Sequence, residues 1–259
     1  MAARTPLDIP TDRLRTLRRW NIVAGALHAA SAVAVLALAN DFTIPVTASY
    51  IQGAPGTTDF SQVTLWKVPL AWGVALFFLL SALAHGWVSG PGWARYQADL
   101  ALQRNYARWV EYALSSSVMI WLIAQICSVT DVVALVAIFA VNACMILFGW
   151  LQEKYEVPGE GGWLPFWFGC LAGAVPWVLI VLLLVRPGYE GSAQTPGFVY
   201  GIVVSLFVFF NIFALVQWLQ YRRVGRWADY LVGERTYITL SLVAKSLLAW
   251  QVFAGTLVG

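Results

Sequence analysis

Lys245 lies in the run Ser241-Leu242-Val243-Ala244-Lys245-Ser246, in the middle of an apolar stretch that opens near Thr236 and continues to Leu257. At 1.5 Å per residue the lysine is about 13 Å inside that stretch, too deep to extend its stem to an aqueous edge. A lysine at that depth is costly unless it is paired or chemically altered. Two states relieve the cost: an ion pair with a carboxylate, or condensation of the amine with an aldehyde into a Schiff base. Glu111 is the carboxylate that falls clearly inside another apolar stretch. It shares a helical face with Ser115, Val118, Leu122 and Gln125, which lets it look into a bundle. A plainer reading pairs Glu111 with Arg108 one turn away, both extending to the membrane edge. Asp131 falls at a helix junction. His28 and His85 sit inside two further apolar runs. A buried imidazole is commonly a hydrogen-bonded core residue, but beside a carboxylate and a lysine it can form a proton-accepting pocket.

These residues need elements to hold them. The chain has 259 residues, 60% apolar and 11% charged, with mean hydropathy +0.70. Soluble domains carry about 25% charged residues, so this composition belongs to a membrane protein. Apolar runs of membrane-spanning length cover roughly residues 20–39, 68–89, 106–128, 132–151, 164–185, 198–220 and 236–257. The expectation is an all-α, seven-helix bundle forming one domain over residues 1–259, after an N-terminal segment 1–19. Connections are short and marked by Pro91-Gly92, Pro158-Gly159, Pro187-Gly188 and Pro196-Gly197. The exception is residues 40–67, where Val46 to Ile51 is β-prone and Gly53-Ala54-Pro55-Gly56 is turn-forming, predicting a small hairpin. Cys127, Cys144 and Cys170 lie in apolar runs without metal-ligand spacing. No phosphate-binding, zinc-protease or redox motif is present, so neither enzymatic catalysis nor nucleic-acid binding is expected.

Lys and Arg segregate across the seven runs. Arg4, Arg13, Arg15, Arg18, Arg19, Arg95, Arg104, Arg108, Lys154, Arg222, Arg223, Arg226 and Arg235 fall on one side, and only Lys67 and Arg186 on the other. Positive loops stay inside, which predicts a cytoplasmic N-terminus, an extracellular C-terminus and an extracellular hairpin in the cell membrane. A competing reading takes residues 1–39 as a signal peptide ending Ala37-Leu38-Ala39; its long apolar run and its His28 argue against this. Trp20, Trp66, Trp93, Trp163 and Trp227 suit membrane interfaces, whereas Trp167, Phe210 and Trp250 lie deeper and can wall a flat ligand or pack the core. Gly169 and Gly173 form a G-x-x-x-G that permits close helix approach within or between subunits, and Pro176 should bend its helix or free a carbonyl.

Several longer motifs occur in order: Arg108-Trp109-Val110-Glu111-Tyr112 followed by Ser115-Ser116-Ser117-Val118-Met119, then Asn142, Phe148-Gly149-Trp150-Leu151-Gln152-Glu153-Lys154-Tyr155, Leu164-Pro165-Phe166-Trp167-Phe168-Gly169-Cys170, Pro196-Gly197-Phe198-Val199-Tyr200-Gly201, and the Lys245 run. In these the chain resembles the heliorhodopsins, retinal proteins of inverted membrane topology. The resemblance implies all-trans retinal on Lys245 as a protonated Schiff base, with Glu111 as counterion. It implies that Ser241 lies near the Schiff base and that Tyr112, Ser116, Met119, Ile146, Trp167, Phe210, Gln217 and Trp250 form the pocket. His28 and His85 would belong to a hydrated inner pocket that receives the proton, although Ser31 departs from the longer polar side chain of some relatives. The family further implies a homodimer with the long outer loop at the contact, and a slow signalling photocycle from 13-trans to 13-cis.

Three functions compete on the residues. A light sensor needs the chromophore, the counterion and a long-lived changed state. A light-driven proton or ion transporter needs ionisable groups on both sides of the lysine, and the sequence offers them on one. A plain Glu111–Lys245 ion pair needs no light at all. A cytoplasmic signalling partner would meet Arg222, Arg223 and Arg226 on one loop and Glu153, Lys154 and Glu156 on another, but positive-inside targeting already accounts for those arginines.

Overall fold

A computed structural model describes residues 6–186, 190–191 and 194–257. Arg4 and Pro187-Gly188 lie outside them. The elements run α1 (Thr11–Ala37), β1 (Thr43–Ile51), β2 (Phe60–Pro69), α2 (Leu70–Ser89), α3 (Trp93–Ala101), α4 (Tyr106–Ile126), α5 (Val132–Tyr155), α6 (Leu164–Val185), α7 (Gly197–Tyr221), a 3-10 turn (Gly225–Ala228) and α8 (Tyr230–Leu257). All of these helices except the nine-residue α3 are long and apolar enough to span a membrane, giving seven spans. Large apolar side chains such as Trp72, Leu83, Val133, Leu171, Val185 and Val204 face outward, as lipid requires and water would not favour.

Helix starts follow local chemistry. Asp131, expected at a junction, caps α5 by accepting from the backbone N–H of Val133 at 2.9 Å and Ala134 at 3.2 Å. Asn105 caps α4 by accepting from Arg108 N at 3.1 Å. Proline precedes α1, α2 and α7, where a missing N–H is harmless. Pro176 is accommodated inside α6.

Two boundaries differ from the sequence reading. α8 begins at Tyr230, several residues before the apolar run, and so carries Glu234 into the bundle. The 90–105 connection contains α3, whose Tyr96 and Leu100 pack against Leu17, Val88, Tyr230, Leu231 and Ile238. Its polar composition hid it from a search for long apolar runs.

The expected hairpin is present, antiparallel from Thr43↔Pro69 to Ile51↔Phe60 with a register shift at Val46/Thr47. It docks on the α4–α5 connection, where Thr47 N donates to Thr130 O at 2.8 Å. Beneath it lies the main apolar cluster, including Phe77, Phe78, Ile120, Ile123, Leu135, Ile180, Leu206 and Leu248, contributed by the hairpin-side halves of the helices.

Close helix contact depends on glycine at Gly149 of α5, where an added Cβ would stand 2.5 Å from the Trp109 ring of α4. Trp109 cannot easily yield, because its Nε1 donates to Glu153 Oε2 at 2.5 Å. Gly149→Ala should therefore destabilise the protein by about 1–3 kcal/mol through overpacking. A lowered thermal unfolding midpoint of the purified protein in detergent checks this, and an unchanged midpoint would refute it.

Candidate functional site

Helix α8 fixes its inward face through Lys245: Ser241 lies one turn before it and Tyr237 two turns before. Lys245 is 3% exposed, and its Nζ donates to Ser241 Oγ at 2.7 Å and to Glu111 Oε1 at 3.1 Å. Glu111, on the inward face of α4, is also buried, and Ser81 of α2 donates to the same Oε1 at 2.6 Å. The Tyr112 ring centroid lies 5.4 Å from Nζ, and its hydroxyl donates to Tyr237 O at 2.9 Å. Side chains of α2, α4 and α8 thus hold one ammonium and one carboxylate together inside the bundle.

Lys245 and Ser241 line a cavity of about 300 Å³ enclosed by α4, α5, α6, α7 and α8. This volume is at the lower end of the roughly 300–1,000 Å³ typical of ligand pockets. Of the residues expected in a pocket, Tyr112, Ser116, Met119, Ile146, Phe210 and Gln217 line it. Ser116 Oγ is oriented by Asn142, whose Nδ2 donates to it at 2.9 Å, and Gln217 Nε2 donates to Gly149 O at 3.2 Å.

Trp167 and Trp250 do not line it; they are 59% and 48% exposed on outer faces. Helical phase is the reason. The α6 residues on the cavity are Phe166, Gly169, Cys170, Gly173, Ala174 and Trp177, and Trp167 lies about 100° away with Leu171, Val175 and Val178. Trp250 shares its face with exposed Val243, seven residues earlier on α8. Trp177 and Phe166 supply the aromatic wall in their place, with Trp109, Phe207, Phe213 and Tyr237. Phase alone, counted back from Lys245, would have found Tyr237. Gly169 and Gly173 face Phe148 and Met145 of α5, so this motif serves a contact within the chain.

Glu111 also lines a second, polar cavity of about 40 Å³, shared with Asn21, His85, Tyr96, Asn105, Arg108 and Glu234. His85 and His28 stack with centroids 5.6 Å apart, and His85 Nδ1 is 2.8 Å from Asn21 Oδ1. The fully buried His28 ring packs on Phe78 at 5.7 Å.

Arg108 does not pair with Glu111. It donates through Nη2 to Glu153 Oε1 at 2.7 Å and through Nη1 to Glu234. Glu153, read from the sequence as part of a cytoplasmic surface, is 3% exposed and accepts from Tyr230 OH at 2.9 Å as well. Its position near the end of α5 suggested a solvated turn, and only packing against α4 and α8 buries it. Glu234 escapes the sequence reading because it precedes the apolar run that opens near Thr236, whereas α8 starts at Tyr230.

The donor set fits an apolar aldehyde: one amine, one compensating carboxylate and mainly aromatic and aliphatic walls. Comparison with solved structures finds the same fold in the transmembrane domain of Salpingoeca rosetta rhodopsin phosphodiesterase, with TM-score 0.64, 13% identity, and coverage of 96% of this chain and 86% of that one. Xanthorhodopsin, a light-driven ion pump with dual chromophore, is similar at TM-score 0.64 and 14% identity, with 95% of each chain covered. No curated protein sequence matches the chain. The heliorhodopsin family profile matches residues 17–257, a stretch that contains the buried lysine, its carboxylate and the whole cavity, and the chain therefore belongs to the heliorhodopsin family of retinal-binding rhodopsins.

Proposed function

We propose that this protein is a light-sensing photoreceptor in which all-trans retinal is carried on Lys245, Glu111 is the counterion, and the response to light is a slow signalling change without ion pumping. The observation that carries this reading is the buried 3.1 Å contact between Lys245 Nζ and Glu111 Oε1 beside an apolar cavity of about 300 Å³. Bound through its aldehyde carbon, retinal supplies a visible-light-absorbing polyene that changes shape on isomerisation.

The chain's own residues do the rest. Glu111 balances positive charge at the lysine nitrogen in a low-dielectric site, where such a charge is otherwise unstable. Ser81 holds the carboxylate oxygen in place, and Ser241 accepts from the nitrogen. Trp177, Phe210 and Phe166 enclose the apolar body and keep water from the amine.

Absence of pumping rests on asymmetry. Asn21, His85, Glu111, Arg108 and Glu234 surround the small cavity on the arginine-rich side of Lys245. Toward the hairpin the helices interdigitate through Phe77, Ile120, Ile123, Ile202, Leu206 and Leu248, and among the described residues no carboxylate interrupts that cluster. A transported proton needs a relay on both sides. The clustering of Arg at one end supports a cytoplasmic N-terminus and an extracellular hairpin.

Adding all-trans retinal to the purified protein should produce a visible band, absent in Lys245→Ala, and cells making the wild type should show no sustained pH change under light. A sustained change abolished by a protonophore would establish transport, and no band at all would return Lys245 and Glu111 to a plain ion pair.

Glu111→Gln removes the balancing charge and should move the band to longer wavelength. An unaltered spectrum would sink the counterion assignment.

We also propose a homodimer that uses the hairpin, whose Phe60, Val63, Leu65 and Trp66 are exposed on β2. Light scattering of the solubilised protein should give a dimer mass that falls toward the monomer in Leu65→Asp. A monomer mass for the wild type would count against it. A cytoplasmic partner would receive the signal at the arginine-rich end; co-purification in light against dark that recovers nothing specific would remove that element.

A further inference from the structure

The polar cavity of about 40 Å³ carries two carboxyl groups on its wall, Glu111 and Glu234. A site of this size and polarity has room for water, which needs only about 10–15 Å³ per molecule and two or more polar partners. Glu234 is 1% exposed. Its Oε2 accepts from Asn105 Nδ2 at 2.8 Å and Tyr96 OH at 3.2 Å, and its Oε1 accepts from Arg108 Nη1. Arg108 is committed to Glu153 as well, at 2.7 Å. Among the described residues Glu234 therefore meets one cation and shares it with a second carboxylate. The titratable groups around it are Tyr96 of α3, Arg108 of α4, Glu153 of α5, and Tyr230 and Tyr237 of its own helix, with His85 of α2 on the same cavity wall.

Two carboxylates against one guanidinium in a buried site favour the uptake of one proton. Glu153 is the worse acceptor: it takes hydrogen bonds from Arg108, Tyr230, Trp109 and the Asn105 backbone, and it does not line the cavity. Among the described residues, by contrast, neither ring nitrogen of His28 has a hydrogen-bond partner that would steady a charged imidazolium.

We propose that Glu234 is a proton-binding site that takes up the proton released from the Lys245 nitrogen, by way of Glu111 and the polar cavity. The inference rests on the retinal reading of Lys245. In the step, an N–H bond at Lys245 breaks and an O–H bond forms on Glu234 Oε2. The nitrogen loses its positive charge, Glu234 loses its negative charge, and the net charge of the bundle is unchanged. Arg108 then has Glu153 as its remaining anion, so the charged tie between α4 and α8 is loosened at the arginine-rich end.

Light-minus-dark infrared spectroscopy of the retinal-loaded protein tests the step, paired with acid titration of the retinal-free protein. In the wild type the carbonyl stretch of a protonated carboxyl group should rise as the lysine nitrogen loses its proton, and fall at least ten-fold in Glu234→Gln. The same band should grow on acidifying the retinal-free protein and be lost in that variant. If Glu234→Gln does not fold, Glu234→Asp retains the carboxyl group and should shift the band. A visible pigment whose band is absent in the wild type, undiminished in Glu234→Gln or unmoved in Glu234→Asp overturns the proposal. Failure to form any pigment instead defeats the retinal reading, and the retinal-free titration then decides separately whether Glu234 binds a proton.

Discussion

A lysine ammonium inside a membrane bundle persists only against a negative partner, and the 3.1 Å approach of Glu111 to Lys245 supplies it. The pair ties α4 to α8, and Ser81 brings in α2. Removing either charge leaves the other buried and uncompensated, which costs more than the pair contributes. The same fact makes the site chemically useful: the amine is the reactive group on the wall of an apolar cavity, and its charge is set by one carboxylate.

Polarity is distributed unevenly around that pair. Hairpin-side halves of the helices form a continuous apolar cluster, whereas arginine-side halves hold the stacked histidines, the small cavity and the Arg108–Glu153–Glu234 group. Lys245 therefore has charged and polar groups on one side and mainly apolar packing on the other. The proposed function without pumping draws on this asymmetry. At the same end as the arginines, beside the α7–α8 connection, Arg13 pairs with Asp229 at 2.5 Å and holds α1 to the start of α8.

α6 shows how shape follows from small residues. Gly169 and Gly173 let α5 approach, with an added Cβ at Gly173 standing 2.5 Å from Met145 Sδ. They also leave volume in the cavity beside Trp177. One helix face serves packing and ligand space at once, while the outward face, with Trp167 and Leu171, is exposed and suits lipid.

The amino-acid sequence by itself determined seven spans, their charge asymmetry, the hairpin, the Asp131 junction and the two charges deep in apolar runs. All of these are local properties: run length, turn residues and ionisable groups out of place can be read without knowing any neighbour. Helical periodicity put Glu111 on an inward face, and only the family resemblance, not periodicity or spacing, favoured Lys245 over Arg108 as its partner. That choice was tertiary, made because Glu153 and Glu234, from helices distant in the chain, surround the guanidinium. Trp167 and Trp250 were misplaced for a related reason. Aromatic identity says that a side chain is large and apolar, and only the rotation of each helix in the bundle decides whether it meets the cavity, as Trp177 does, or the lipid.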